Sequence, residues 1–241
     1  MAATLFSLVI PAYNEELLLP ALLRSIETAT AYPDAPSVEV LVANNGSTDH
    51  TAEIALNGGA RVVDVPVRGI GAARNAGAAA AQGHVLCFVD ADSHIHPLAF
   101  RAIRMAMDRA GVAGGATGVT LEHWSVPLRI IAALTVPLRL LGIDSGVVFC
   151  RSADFAALGG YRSDLLVGED VEFLWRLRRL ARSQRQRLVR LTGVETTTST
   201  RKFDRHGHWR FLGVMGGLAV RRAVSRDSFE RAVRRYWYED R

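Results

Sequence analysis

The sequence is poor in cysteine, with only Cys87 and Cys150 among its 241 residues. Both lie in apolar runs, where a thiol is usually a small buried side chain rather than half of a disulfide. A disulfide-stabilised scaffold is therefore excluded, and a reducing, cytoplasmic location is expected. The N-terminus has no basic stretch ahead of a hydrophobic segment, so no secretion signal is expected.

Long apolar runs are also lacking, since a membrane-spanning helix needs roughly 20 predominantly apolar residues. The most apolar stretch, residues 125–141, is interrupted by Pro127, Arg129, Pro137 and Arg139. It predicts an amphipathic helix or a helix pair, either packed in the core or lying at a membrane surface. Internal repeats, low-complexity segments and clear linkers are absent as well, which favours a single domain over residues 1–241.

Charge is distributed unevenly along the chain. Residues 1–120 hold 7 Lys+Arg against 11 Asp+Glu, whereas residues 121–241 hold 22 against 13. A basic half can indicate nucleic acid, an anionic membrane surface or an anionic substrate, or only an arginine-rich solvated surface. The basic residues are not interleaved with aromatic ones and match no nucleic-acid-binding module, so no nucleic-acid partner is expected.

Strand and helix patterns alternate through the first half of the chain, which predicts an α/β fold with a mostly parallel sheet flanked by helices. Strands are predicted at 5–10, 38–43, 61–65, 85–90, 112–121, 147–150 and 187–191, with 195–200 extended or in a loop. Helices are predicted at 16–29, after Ser47 or Thr48, and at 69–83, 97–109, 169–181, 207–223 and 228–237.

Two carboxylates, Asp90 and Asp92, follow the apolar run at residues 85–89. In an extended segment residues i and i+2 project to the same side, so both acids are expected to face one cleft at the carboxyl edge of the sheet. Hard oxygen ligands suit Mg²⁺ or Mn²⁺ carrying a substrate phosphate. The alternative is that the pair, with Ser93 and Pro97, only starts the next helix.

Five motifs occur in a characteristic order: Pro-Ala-Tyr-Asn-Glu, Asn-Asn-Gly-Ser-Thr-Asp-x-Thr, Gly-x-x-x-Ala-Arg-Asn-x-Gly, Phe-Val-Asp-Ala-Asp and Gly-Glu-Asp. Over about residues 5–182 this order resembles glycosyltransferase family 2. The resemblance implies a GT-A fold and hexosyltransferase activity that moves a sugar from a nucleoside-diphosphate sugar to an acceptor hydroxyl. It also implies a nucleotide-sugar-binding half over about residues 1–110 and an acceptor-binding half with C-terminal helices over about residues 111–241.

The resemblance assigns donor-binding roles to residues in each of these motifs. They are Pro11, Ala12, Tyr13, Glu15, Asn44, Asn45, Gly69, Arg74, Asp90, Ala91, Asp92 and Glu169. Asn44 and Asn45 are a departure, because the family usually has an acidic pair here and one acid accepts a hydrogen bond from the base. Asparagine is neutral and offers both a donor and an acceptor, so the choice between a UDP-sugar and a GDP-sugar stays open.

The reaction chemistry is expected to depend on three of these motifs. Arg74 lies early in a predicted helix, where a cation opposes the helix dipole, so either a donor diphosphate or a surface ion pair is its expected partner. By resemblance, Asp92 is the more direct ligand of Mg²⁺ or Mn²⁺, and Asp90 holds the ribose or sugar. The resemblance also implies that Asp170 is the general base and that transfer inverts the anomeric centre.

The C-terminal part carries weaker candidates. His206 or His208 is a candidate to complete the metal sphere, and Arg201 and Lys202 are candidates to reach a phosphate; solubility is the alternative for all four. The acceptor is unknown. The apolar stretch 125–141 and the basic, aromatic C-terminus suit a lipid-linked acceptor and a peripheral enzyme at the inner face of a membrane.

Two other functions are weighed against glycosyl transfer. A nucleotidyltransferase is disfavoured, because no Gly-rich, Lys-containing loop follows the first strand. A nucleotide-sugar-binding protein with weak or no catalysis remains the alternative. The presence of Asp90, Asp92 and Asp170 together argues against it.

Overall fold

A computed structural model describes residues 5–165 and 168–201 of the chain. Its strands are β1 Leu5–Ala12, β2 Ser37–Asn44, β3 Arg61–Asp64, β4 Val85–Phe88, β5 Ser93–His94, β6 Val112–Leu121, β7 Val148–Arg151 and β8 Arg187–Thr198. Its helices are α1 Leu19–Thr30, α2 Thr51–Asn57, α3 Ile70–Ala80, α4 Ala99–Met107, α5 Val126–Leu134, α6 Val136–Leu140, α7 Ser152–Ala157 and α8 Glu169–Ser183. Lys202, His206, His208 and the two helices predicted beyond residue 206 lie outside the described residues.

One sheet joins all eight strands in the order β3-β2-β1-β4-β7-β6-β8-β5. The pairs β2–β3, β1–β2 and β1–β4 are parallel, as predicted for the first half of the chain. β7 runs antiparallel to both β4 and β6, while β6 and β8 are parallel, so the sheet as a whole is mixed. The order of the strands reverses between β1 and β4, and open α/β sheets bind ligands in the crevice at such a point.

Both faces of the sheet are covered by helices. In β1 the side chains alternate, so that Leu8 and Ile10 contribute to the core on one face and Val9 to the core on the other. Helices α1 and α4 pack on the first face, and α8 packs on the second. Cys87 and Cys150 are free, fully buried thiols, as predicted.

Helices α1, α2 and α4 begin two or three residues later than predicted. α1 begins at Leu19 instead of Glu16, because Pro20 suits the first helical turn, and Leu17 is left 76% exposed. α2 begins at Thr51. Its N–H is accepted by the carboxylate of Asp49, while the Ser47 hydroxyl, predicted as a possible cap, accepts from a different loop.

The second half of the sheet differs most from the prediction. Residues 187–191 and the Thr-rich run belong to one 12-residue strand, β8, whose threonines favour extended structure. The short strand β5 and the helix α7 were not predicted. The apolar stretch forms a helix pair, α5 and α6, which is one of the two forms predicted for it. The two helices are separated at Thr135, and Pro137 lies in the first turn of α6. Within residues 5–165 and 168–201, every helix is too short or too polar to cross a membrane.

Candidate active site

The loops after β1 and β2 are joined into one wall at the carboxyl edge of the sheet. Asn14, in a left-handed conformation with φ 52°, donates its backbone N–H to the Ser47 hydroxyl at 3.1 Å and accepts the Thr48 N–H at 2.9 Å. The Glu15 N–H donates to the Thr51 hydroxyl at 2.8 Å. These bonds place the Pro-Ala-Tyr-Asn-Glu and Asn-Asn-Gly-Ser motifs side by side.

The side-chain NH₂ group of Asn45 is occupied by the protein backbone. Its side-chain NH₂ donates to the carbonyls of Val65 at 3.3 Å and Val67 at 2.8 Å, and its carbonyl accepts the Gly69 N–H at 2.8 Å. An asparagine side chain has two N–H donors, and both are used here. Asn45 therefore fixes the approach to α3, and a contact between its NH₂ group and a base would require one of these bonds to break.

The recorded hydrogen bonds of Asn44 use only one of the two N–H donors of its side chain. Its NH₂ group donates to Asp64 at 3.0 Å, and its carbonyl accepts the Ser47 N–H at 3.1 Å. Of the two asparagines, Asn44 is thus the one that can still donate a hydrogen bond to a base.

Tyr13, Arg68 and Gly69 form the next part of the wall. The Arg68 guanidinium lies 3.8 Å from the centre of the Tyr13 ring, a cation–π contact, and Pro11 and Ala12 are buried behind it. Gly69, directly before the first turn of α3, has a φ of 143°, a backbone conformation that favours glycine. Arg68 was not predicted to be part of the site, although its position just before the Gly69 turn is a usable signal.

Arg74 lies on α3 and is 2% exposed, so the surface ion pair considered from the sequence is wrong. Its guanidinium contacts three carboxylates, at 2.8 Å from Asp90, 2.8 Å from Glu169 and 3.0 Å from Asp170. Burial opposes the charged form, yet the charges of these acids hold the pKa of Arg74 well above its ordinary value. Arg74 is thus engaged by carboxylates first, and a direct diphosphate contact stays a prediction.

Asp170 is the acid with the most perturbed titration in this cluster. Asp170 is the second residue of α8, directly after Glu169, and its side chain is 17% exposed. Removal from water raises the pKa of Asp170 to about 7, with Arg74 opposing this rise and Glu169 and Asp90 adding to it. A carboxylate with a pKa near neutrality is suited to accept a proton during catalysis.

Asp90 and Asp92 lie in a turn after β4 and not in an extended segment as predicted. The Ser93 N–H bonds back to the Asp90 carbonyl at 3.2 Å, and the Ser199 N–H donates to the Asp92 carbonyl at 3.0 Å. Asp90 has a side chain that is 44% exposed, while Asp92 is 8% exposed. Ala91 between them is buried in the core. Ser93 pairs with β8 and does not start the following helix, which begins at Ala99.

A cavity of about 360 Å³ opens beside this turn. Asp90 and Asp92 line one side, and Val171, next to the candidate base, lines it as well. Residues of and around α5 and α6 also line the cavity. They include the apolar Trp124, Leu128, Ala132 and Leu138 and the charged Arg139 and Asp144. The cavity thus brings the acidic turn, the start of α8 and the apolar helix pair to one place.

The donor set of the turn fits a hard divalent cation, which prefers carboxylate oxygens. However, in the part of the chain that is described, no group of three or more His, Cys, Asp or Glu side chains is placed to hold a metal ion. Asp92 would therefore hold a cation together with oxygens of a bound substrate, as Mg²⁺ sites formed with substrate phosphates do.

Glu15 and Arg201 connect the two ends of the described chain. The Glu15 carboxylate is 4% exposed and lies 2.8 Å from the Arg201 guanidinium. This ion pair joins the loop after β1 to the segment after β8, close to Ser199 and the cavity. The predicted contacts of Glu15 with a ribose and of Arg201 with a phosphate stay predictions.

Comparison with known proteins gives the fold and the family. The family model described as glycosyl transferase family 2 matches residues 7–133. An uncharacterised glycosyltransferase of Mycobacterium tuberculosis is 31% identical over 188 residues, covering 69% of this chain and 79% of that protein.

Two solved structures have similar folds. Glucosyl-3-phosphoglycerate synthase from Mycobacterium tuberculosis, in complex with Mn²⁺, UDP-glucose and phosphoglyceric acid, has a TM-score of 0.64 and 26% identity, covering 86% of this chain and 75% of that chain. S. aureus TarS 1-349, in complex with UDP-GlcNAc, has a TM-score of 0.64 and 20% identity, covering 87% of this chain and 65% of that chain. The second likeness concerns the fold alone, and the predicted GT-A fold is confirmed. Since the family model spans more than half of the chain, this protein is a glycosyltransferase that belongs to glycosyl transferase family 2.

Proposed function

We propose that this enzyme transfers a sugar from a nucleoside-diphosphate sugar to an acceptor hydroxyl with inversion at the anomeric carbon. The observation that carries the proposal is the placement of Asp170. It has a pKa of about 7 and shares Arg74 with Asp90. It also lies in the first turn of α8, and the next residue, Val171, lines the same cavity as Asp92. A proton acceptor and a phosphate-side acidic turn therefore flank one space.

Asp170 is the general base of the proposed reaction. Its carboxylate takes the proton of the acceptor hydroxyl as that oxygen forms a bond to the anomeric carbon, while the bond from that carbon to the donor phosphate breaks. The leaving nucleoside diphosphate departs with the bonding electron pair. Because the base and the leaving group lie on opposite sides of the sugar, the configuration at the anomeric carbon is inverted.

Asp92 and Asp90 act on the donor side. Asp92 binds a divalent cation, Mg²⁺ or Mn²⁺, together with the donor diphosphate, and Asp90 contacts the ribose or the sugar. A cation at this position neutralises charge on the departing diphosphate. In support, glucosyl-3-phosphoglycerate synthase, which shares this fold at 26% identity, was solved with Mn²⁺ and UDP-glucose. By analogy the proposed donor is a UDP-sugar, and a GDP-sugar is the alternative.

The acceptor is proposed to carry an apolar portion and to be lipid-linked. Trp124, Leu128, Ala132 and Leu138 line the cavity that Asp92 also lines. The outer side of the α5–α6 pair exposes Val126, Ile130, Leu134 and Leu140. Residues 123–143 contain no acidic side chain, and Arg129 is exposed among the apolar ones. An apolar surface with positive charge suits an anionic membrane surface, so the enzyme is proposed to bind there peripherally.

The proposal is tested by a thermal-shift panel of UDP, GDP, CDP and ADP, each with and without Mn²⁺, followed by transfer assays. Ligands that bind the folded protein raise its apparent stability by mass action. We expect UDP to give the largest rise and Mn²⁺ to increase it. If no nucleotide raises the melting temperature with or without Mn²⁺, and no UDP-sugar or GDP-sugar is hydrolysed above a no-enzyme blank, the proposed function is wrong.

A further inference from the structure

Both oxygens of the Asp170 carboxylate are held by protein side chains. The Tyr161 hydroxyl donates to Oδ1 at 3.0 Å, and the Arg74 guanidinium lies 3.0 Å from Oδ2. A carboxylate has about four lone-pair positions, so each oxygen can still accept a second hydrogen atom. The two contacts fix the plane of the carboxylate and thereby determine where its remaining lone pairs point.

The two partners of Asp170 differ in how many other groups they hold. Arg74 also contacts Asp90 and Glu169, so its removal would disturb three acids at once. The hydroxyl of Tyr161, in contrast, has one recorded hydrogen bond, to Asp170. Tyr161 is therefore the partner whose effect on Asp170 can be isolated.

The Tyr161 ring is held in place on several sides. It is 2% exposed, stacks on Phe173 with 4.6 Å between ring centres, and meets Phe88 edge-on at 5.1 Å. The guanidinium of Arg74, a residue of α3, lies 5.0 Å from the centre of the Tyr161 ring. Because the ring is packed on several sides, its hydroxyl has little freedom to turn away from Asp170.

Asn75 fixes the backbone of Tyr161 as well. Its side-chain carbonyl accepts the Tyr161 N–H at 2.8 Å, and its NH₂ group donates to the Tyr161 carbonyl at 2.8 Å. The preceding residue, Gly160, has φ 71°, and a Cβ there would lie 2.5 Å from the Asn75 carbonyl oxygen. The chain therefore needs glycine at 160 to bring Tyr161 against Asn75 and, through its ring, against Asp170.

We propose that Tyr161 is a positioning residue for the general base: anchored by Asn75 and the aromatic cluster, it orients the Asp170 carboxylate toward the acceptor hydroxyl. This rests on the proposed function, in which Asp170 is the base. Tyr161 is not itself a proton donor in the reaction. Burial and the neighbouring Asp170 charge hold the pKa of its phenol well above the ordinary value.

The test is the variant Tyr161→Phe, which keeps the ring and removes only the hydroxyl. We expect kcat to fall by about tenfold to a hundredfold, since a hydrogen bond to a charged acceptor is lost from the reacting group. The donor KM should stay unchanged, because no recorded contact of Tyr161 is with the donor-side loops after β1 and β2. Tyr32→Phe, at a solvent-exposed tyrosine that follows α1, serves as the matched control.

The pH profile separates positioning from packing. The charged and titratable groups around Asp170 are Arg74 on α3, Asp90 after β4, Glu169 on α8 and Tyr161 itself. The Tyr161 hydroxyl favours the ionised form of Asp170, so its loss should move the acid limb of the kcat profile to higher pH. A purely structural role would lower kcat without moving this limb.

The inference is supported if Tyr161→Phe lowers kcat, raises the pH of the acid limb and melts within about 2 °C of the wild type. It is overturned if kcat and the acid limb equal those of the wild type, or if kcat falls while the limb stays in place. Should Tyr161→Phe be unstable, Asn75→Ala provides a second route. It keeps the hydroxyl but releases the backbone, and it must move kcat and the limb in the same directions.

Asp170→Asn distinguishes this inference from the proposed function. If Asp170→Asn abolishes transfer and Tyr161→Phe matches the wild type, only the positioning role fails. If Asp170→Asn retains wild-type transfer, the assignment of the base fails, and the role of Tyr161 fails with it.

Discussion

The edge of the sheet proposed to bind the donor and the cavity beside α5 and α6 proposed to bind the acceptor are built in different ways. At the donor-side edge, polar side chains such as Asn14, Asn45 and Arg74 already have protein partners at 2.8–3.3 Å. The cavity beneath α5 and α6 presents mainly apolar surface, although Arg139 and Asp144 are also among its lining residues, and the outer surface of these helices is exposed. Hydrogen bonds specify direction, whereas apolar burial mainly specifies volume and hydrophobicity.

This difference suggests that the sheet edge and the cavity have separate roles, one in binding the donor and the other in binding the acceptor. An edge whose polar side chains are already hydrogen-bonded within the protein is rigid. It suits a donor whose diphosphate and anomeric carbon have to be held at a defined distance from the base. An apolar cavity admits acceptors that share a hydrophobic portion but differ in shape. On this view substitutions at the donor-side edge affect catalysis or folding strongly, and substitutions on α5 and α6 affect acceptor and membrane binding modestly.

The largest effect is expected for Asp170→Asn. Amide and carboxylate have nearly the same shape, but the amide cannot accept the acceptor proton, so turnover should fall by about 10²–10⁴-fold. The melting temperature should not fall by more than a few degrees, because Arg74 keeps Asp90 and Glu169 as partners. Transfer assays and thermal unfolding measure the two quantities. Near-normal turnover would contradict the assignment of the base.

The second effect concerns stability and follows from Arg74→Met. Arg74 contacts Asp90, Glu169 and Asp170, and its removal leaves these carboxylates close together and partly buried. The loss should cost about 3–5 kcal/mol of unfolding free energy at pH 8. The loss should shrink as the pH falls, because protonation of Asp170, whose pKa is already raised, removes one of the repelling charges. Urea unfolding at pH 8 and pH 5 measures both values.

Arg61→Met is the matched control for this prediction. Arg61 also pairs with a carboxylate, that of Glu39 at 3.5 Å, but its side chain is 46% exposed. A surface pair contributes about 0–1 kcal/mol, so the control should lose little stability. Equal losses in the two variants would mean that the acidic cluster does not depend on its buried cation.

The third prediction concerns the wild-type pH dependence. The pKa of Asp170 is raised to about 7, so the base is protonated and inactive below that pH and ionised above it. The rate should therefore fall about tenfold per pH unit on the acid side, with a midpoint near neutrality. Initial rates at saturating donor and Mn²⁺ measure the profile. A midpoint near the ordinary aspartate value of about 4 would contradict the buried environment described for Asp170.

The smallest effect is expected on the acceptor side, for Leu134→Glu. Leu134 is 72% exposed on α5, so the substitution should leave the melting temperature unchanged and weaken binding to anionic vesicles at low salt by a few fold. Leu56→Glu, on α2 at 61% exposure, adds the same charge elsewhere and is the control. Vesicle sedimentation gives both affinities. If the two variants bind alike, α5 is not part of a membrane-binding surface.

The sequence predicted the parts of the fold that depend on local patterns. Alternating strands and helices predicted the parallel order of β1 to β4, and the interrupted apolar stretch predicted the α5–α6 pair. Asp90, Asp92 and Asp170 were singled out because short motifs carry them. In the structure Asp90 and Asp92 line the cavity, and Asp170 precedes Val171, which also lines it. Whether they have the roles given to them stays a prediction.

Features that depend on long-range contacts were not predicted. Arg74 and Glu169 are 95 positions apart, and Glu15 and Arg201 are 186 apart, so no local pattern links them. Tyr161 was not predicted as a site residue, since its role depends on a ring buried against Phe173 and a hydroxyl that donates to Asp170. The strand β5 has two residues and exists only because β8 pairs with it.

The central claim is that the acidic turn after β4 holds a cation with the donor diphosphate. A crystal of this protein grown with UDP and Mn²⁺, measured at a wavelength where manganese scatters anomalously, tests this claim most directly. We predict the strongest anomalous peak within bonding distance of the Asp92 carboxylate, with the diphosphate on its other side. A diphosphate bound elsewhere, or bound at this edge with manganese away from Asp92, would contradict the account.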